Sequence, residues 1–285
     1  MIPPTTLSIA TPESSPSGGE TELPNLRELG EDLLVTTRRH RWIGLARPFI
    51  GIALFFTATS LGWWWIAPII LFLIFVAIVA VTHDVVHDAL GLSDRGNDIA
   101  LFFLGAILFE SGHAYRVTHT RHHAIFPGPD DPEGDPARMS ALASILHGPF
   151  FLARLWLWAF RKRRGHRRER AWLIAEAVWA VIGYALAIGA WTVAPAVALY
   201  ALGAIIGSWV YPLLTVHLPH HDYGDTPVTQ TRTLRGRIIP PLFLELTYHL
   251  EHHLYPKVPS HHLAELSRRL DPTLRAAGVR PKKVW

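Results

Sequence analysis

Four clusters of histidine carry the chemistry that this chain can perform. They are His83-Asp84-Val85-Val86-His87, His119-Thr120-Arg121-His122-His123, His217-Leu218-Pro219-His220-His221 and His249-Leu250-Glu251-His252-His253. On a helix, residues three and four apart share one face. HxxxH therefore offers two imidazoles side by side, and HxxHH offers three. Eleven histidines are too many for one metal, since a tetrahedral zinc takes about four ligands. They suit two metals of higher coordination, and neutral imidazole suits iron, zinc, copper and nickel. An all-nitrogen shell leaves the charge on the metals. That favours a redox pair that activates O₂, because breaking a strong C–H bond needs an oxidant that no amino acid provides. The chain has no cysteine, so thiolate sites and disulfides are excluded.

The elements that must position these rings are apolar. The chain is 49% hydrophobic and 18% charged over 285 residues, high for a soluble protein. Pro48 to Thr82 holds no charge, which is too long for one span and about long enough for two. Spans are expected at 43–60 and 64–84, with the turn at Ser60-Leu61-Gly62 and Trp63, Trp64 and Trp65 at the interface, where indoles settle. Arg47 lies near an end and snorkels. Ala171 to Val216 holds one charge, Glu176, and gives spans at 171–190 and 195–216. Glu176 is expected at headgroup depth, without a role. The stretches 99–109 and 141–160 are too short or interrupted to span, and read as interfacial or re-entrant helices forming a lid. Residues 25–41 read as a short interfacial helix ending in Arg38, Arg39 and Arg41.

Charge gives an independent test of sidedness. Residues 1–47 hold five Lys/Arg, 83–170 hold twelve and 217–285 hold ten, which together are all 27. The proposed short turns hold none. Lys and Arg mark the cytoplasmic side, so both termini and the middle loop are expected there. The run Arg161 to Arg170 then faces anionic headgroups rather than nucleic acid. With two spans between them, the middle and C-terminal clusters return to one surface, where His83, His87 and His217 to His221 also end. The expected fold is all-α and integral to the membrane: four transmembrane helices as two hairpins, under a cytoplasmic His-rich helical cap. Residues 1–24, rich in Ser, Pro, Gly and Glu, read as a disordered tail ahead of a single domain at 25–285.

The histidines resemble the three boxes of the membrane fatty acid desaturase and hydroxylase superfamily. His83-x3-His87 is similar to the first box. His119-x2-His122-His123, introduced by Tyr115-Arg116, is similar to the second. His249-x2-His252-His253, followed by Leu254 to Pro259, is similar to the third, and Leu218-Pro219-His220 to an extra histidine after the last span. The resemblance covers about residues 45–270. It implies two non-haem irons held by His83, His87, His119, His122, His123, His220, His249, His252 and His253. It also implies O₂ as co-substrate and an external electron donor of the ferredoxin or cytochrome type. His217 and His221 depart from the pattern and stay open between a ligand or donor role and a structural one. His113, His261 and His262 match no box. The loop Pro127 to Pro136 is similar to an acidic-proline stretch of the carotene hydroxylase branch, and taken alone reads as a rigid solvated turn. Asp84 and Asp88 either accept N–H bonds from ligand imidazoles or are hydrated at the interface.

The expected activity is therefore O₂-dependent oxidation of a long apolar lipid drawn from the bilayer. A fatty acyl desaturase stands first and a carotenoid ring hydroxylase or ketolase second. No dinucleotide glycine motif, haem-attachment motif or cysteine cluster supplies electrons internally. Two remote rivals remain. His83-Asp84-Val85-Val86-His87 is one substitution from the HExxH of a zinc protease. A metal transporter would place its ligands near mid-span.

Overall fold

The computed structural model describes residues 22–285. The expected tail, 1–24, falls almost wholly outside them. At its edge Leu23 packs on the C-terminal helix, and the Pro24 carbonyl accepts a bond from the Tyr255 hydroxyl. The described residues are mostly helical, and among them the one two-stranded sheet is two residues long, Leu234–Arg235 beside Lys282–Lys283.

Helix α1 runs Arg38–Ser60. Its N-terminus is set by Thr37, whose hydroxyl accepts from the His40 N–H. Contrary to the sequence expectation that they close a helix over 25–41, Arg38, Arg39 and Arg41 begin this one. The break lies upstream, where Gly30 adopts φ 111° and Val35 is extended. The turn falls at the expected place, with Gly62 at φ 78°, a conformation that costs glycine little. A 3₁₀ turn at Trp64–Ile66 leads into α2, Ala67–Val86, which delivers His83 in its last turn and His87 just beyond.

Helices α3, Asp94–Leu108, and α4, Gly112–Ile125, form a hairpin against α2. Their approach is close: a Cβ on Gly112 would stand 2.4 Å from the Leu101 carbonyl oxygen. The far end of α3 reaches deep, since the Tyr200 hydroxyl donates to the Ile107 carbonyl and Phe109 meets Tyr184. The expected 99–109 stretch is thus the C-terminal part of a longer helix that begins at Asp94.

Helix α5 runs Ala141–Lys162, α6 Arg167–Gly189 and α7 Pro195–Pro212. By length and composition five helices could cross a membrane, one more than expected, and the addition is α5. Its contacts are distinctive. Ser144 donates to the Pro136 carbonyl, a Cβ on Gly148 would collide with the Trp209 carbonyl, and Phe151 meets Tyr211. At its other end Ala159 packs with Leu173, near the start of α6. The N-terminal half of α5 thus lies against the end of α7 that leads to His217, and its C-terminal end lies against the start of α6.

After Pro212 the last span widens into a π turn, Leu213–His217, and then one short turn, Leu218–His220. Pro219 has no N–H to continue a regular ladder. Helix α8, His249–Leu254, carries the last cluster, and α9, Leu263–Ala276, buries Leu263, Leu266, Leu270 and Leu274 beneath it. Glu251, inside α8, is fully buried and accepts from the hydroxyls of Thr233 and Ser267, which fixes the helix that presents His249, His252 and His253.

Candidate metal centre

Four segments bring the imidazoles together. His83 and His87 lie one turn apart, with ring centroids 5.0 Å apart. The next two sets come from α4 and α8, and His220 comes from the end of the last span. Two groups form, in which ring nitrogens lie within 4.8 Å of one another. One is His83, His87, His119, His123 and His252, and the other is His122, His220 and His253. His249 adjoins the second, its Nε2 3.1 Å from that of His253. The nine residues expected from the boxes are thus contiguous.

Protonation decides whether this array can hold metal. His122 Nδ1 donates to Asp131 Oδ2 at 2.7 Å. His220 Nδ1 can only donate, because its partner is the Val216 carbonyl at 2.8 Å. A neutral imidazole carries one N–H. With both rings neutral, each Nε2 presents a lone pair, and the two stand 3.0 Å apart. Two such lone pairs repel until a cation lies between them. Burial, reinforced by neighbouring imidazoles, holds His119, His123, His249, His252 and His253 well below the usual histidine range. Neutral rings with inward lone pairs are the donor set that a divalent transition metal needs.

A family model described as fatty acid desaturase matches residues 61–285, a span that contains all four clusters. The chain belongs to the fatty acid desaturase family. No curated protein matches it. Membership makes this desaturase-family chain an oxidoreductase of membranes and gives the histidine array its context.

Several residues have partners that sequence did not reveal. The loop Pro127 to Pro136 is not a solvated turn at its centre: Asp131 and Glu133 are buried. Glu133 accepts from His119 Nδ1 at 2.9 Å and from the Thr118 hydroxyl at 2.6 Å, while Asp131 also takes the Glu133 N–H. These carboxylates fix ring orientation and raise ligand basicity. Asp84 does not receive an imidazole N–H, since His83 Nδ1 stands 3.9 Å away. Its two oxygens bind the backbone N–H and hydroxyl of Ser260, tying α2 to the segment after the third box. Asp88 binds Asn97. His217 is buried but donates to the Pro136 carbonyl, and His221 stands exposed beside Asp222. Neither joins a metal group. His261 packs at a tilt against His40 and His262 and joins neither group.

Glu176 requires the largest correction. It was expected to have no role, but it is buried and hydrogen-bonded. It accepts from His113 Nδ1 at 2.7 Å and from the Ser111 hydroxyl at 2.5 Å. Trp172 stacks on His113, and Asp98 binds Arg116 and Arg168 beside it. This polar knot joins α3, α4 and α6. A lone acid in an apolar block was its only signal. Glu176→Leu leaves both donors buried without an acceptor and is expected to cost about 1–3 kcal/mol. Thermal unfolding in detergent would test this, and an unchanged midpoint would refute the structural role.

Two cavities serve the centre. A smaller one, about 170 Å³, touches His83, His119, His122 and His249. A larger one, about 540 Å³, runs between α4, α5 and α6. Val79, Tyr115 and Tyr211 line both. Tyr115 also stacks on His119, so the apolar space adjoins the rings.

Proposed function

We propose that this chain is an O₂-dependent, di-iron oxidoreductase acting on a long apolar lipid, a fatty acyl chain in the first place. The opposed lone pairs of His122 and His220 carry the metal reading. His83, His87, His119, His123 and His252 would hold one iron, and His122, His220, His249 and His253 the other. When bound, the pair supplies the O₂ chemistry that breaks an unactivated C–H bond. The protein's own part is positioning. Asp131 and Glu133 hold imidazole protons outward so that lone pairs point inward. Apolar walls exclude water, and Tyr115, Tyr211 and Val79 align the chain against the rings. Placement within about 1 Å decides whether a second hydrogen or an oxygen is transferred.

Four crossings, formed by α1, α2, α6 and α7, fit this reading, with α5 lying along the surface, its N-terminal half against Pro136 and the end of α7 that leads to His217. The Lys/Arg distribution supports a cytoplasmic metal site and termini, and electrons come from a separate redox protein. A zinc protease would need a free acid between His83 and His87, whereas both oxygens of Asp84 are bound to Ser260.

The purified full chain is expected to contain about two irons per chain. With a reductant system and O₂, membranes carrying it should oxidise acyl lipids. Stoichiometric zinc, or product formed equally without O₂, would sink the reading. Product from carotenoids alone would move the substrate to that class.

A further inference from the structure

The two ends of the larger cavity differ chemically. One opens past Tyr115 and Tyr211 toward the imidazoles. The other reaches Glu110, in the turn between α3 and α4, and Tyr184 of α6. Ser111 and Glu176 also lie there, but each is already engaged: Ser111 donates to Glu176 and accepts from the Ala114 N–H, and Glu176 also receives His113. Glu110 is different. Its Oε1 is enclosed and has no hydrogen-bond partner among the described residues. Its backbone is fixed, because Phe109 sits at φ 57° and the Glu110 N–H donates to the Gly105 carbonyl at 2.9 Å. The other unpartnered atom on this cavity, Thr82 Oγ1, lies at the opposite end, beside His83.

An acid in an apolar cavity without a partner is costly, and buried polar atoms normally have one. Burial also pushes the Glu110 carboxyl up to about 8, so near neutral pH it is largely protonated and can both donate and accept. A substrate ammonium would require a buried ion pair, and a substrate carboxylate would meet a second acid. A hydroxyl is neutral, donates and accepts in the same way, and is the cheapest group to bring there.

We propose that Glu110 binds a hydroxyl group of the substrate, so that this enzyme oxidises an apolar molecule whose hydroxyl is held at a set distance from the reacting carbon. Glu110 precedes His119 by nine residues, or about 13 Å along the helix direction. The proposal rests on reading the histidine array as the oxidation centre, but the binding it predicts needs neither iron turnover nor O₂.

The test uses the full chain in lipid nanodiscs and displacement of a fluorescent apolar probe. The competitors are 1-alkanols, their methyl ethers and n-alkanes of matched length. In the wild type, alkanols should compete about tenfold better than either analogue, the size expected of one buried hydrogen bond. Glu110→Gln, which still donates and accepts, should keep most of that ratio, and Glu110→Leu should bring it close to one. A wild-type ratio near one, ethers that match alkanols, or a preference that survives in Glu110→Leu would each overturn the proposal. The wild-type comparison decides even if Glu110→Leu does not assemble. Failure of the oxidation reading shows elsewhere, as absent O₂-dependent product beside an intact alkanol preference.

Discussion

His122→Ala and His252→Ala each abolish O₂-dependent turnover, by more than about 100-fold, the upper end for loss of an outer partner alone. The two variants should differ in iron content. His122 belongs to the three-ring group, and its removal leaves His220 and His253 with only the adjoining His249. One iron per chain should be lost. His252 lies within 2.8 Å of both His83 and His123, in the five-ring group, and alanine there leaves four rings. That variant should retain more iron and still fail to turn over. Neither ring anchors a span, so membrane insertion should persist. Elemental analysis, product assay and carbonate extraction of membranes read these three quantities separately. Normal turnover in either variant would remove its histidine from the ligand set.

The parts of this arrangement that sequence made legible are those with a local period. HxxxH and HxxHH set ring faces by helix geometry, and α2, α4 and α8 present them as that geometry requires. The four expected spans, read from two uncharged or nearly uncharged stretches, became long helices at about the expected bounds because hydropathy and turn residues act locally. The misses are tertiary. Asp131 and Glu133 sit among prolines and glycines, and nothing local distinguishes a solvated turn from one folded beneath two imidazoles. Glu176 was given a depth from its position in an apolar block. Its burial depends on Ser111 and His113, which arrive from another hairpin. Helix α5 differs from its sequence reading, which took 141–160 as too interrupted to span, whereas its length and composition permit a crossing; its contacts with Pro136, Trp209 and Leu173 are tertiary and have no local signal. His217 and His220 are neighbours in sequence, yet the π turn sends one to a carbonyl and the other to the rings.

Asp131→Leu should lower iron affinity or turnover about 10–100-fold without removing any ligand. The carboxylate accepts two protons at once, from His122 Nδ1 and from the Glu133 backbone. Leucine is close in size but accepts neither. His122 would then be free to carry its proton on Nε2, where the lone pair must point. The Glu133 backbone would lose its anchor, so the acceptor of His119 should shift as well. Asp131→Asn offers one acceptor oxygen and turns an amide toward the second donor, so its loss should fall between wild type and leucine. Glu133→Leu should act on the other group through His119 and Thr118. Chelator competition should therefore show Asp131→Leu weakening chiefly the iron-binding step that uses His122 and, through Glu133, the other to a lesser degree, while Glu133→Leu weakens only the step that uses His119. Wild-type affinity at both steps in Asp131→Leu would mean that the loop merely packs beneath the rings. The orientation of His122 would then have to come from the helix alone.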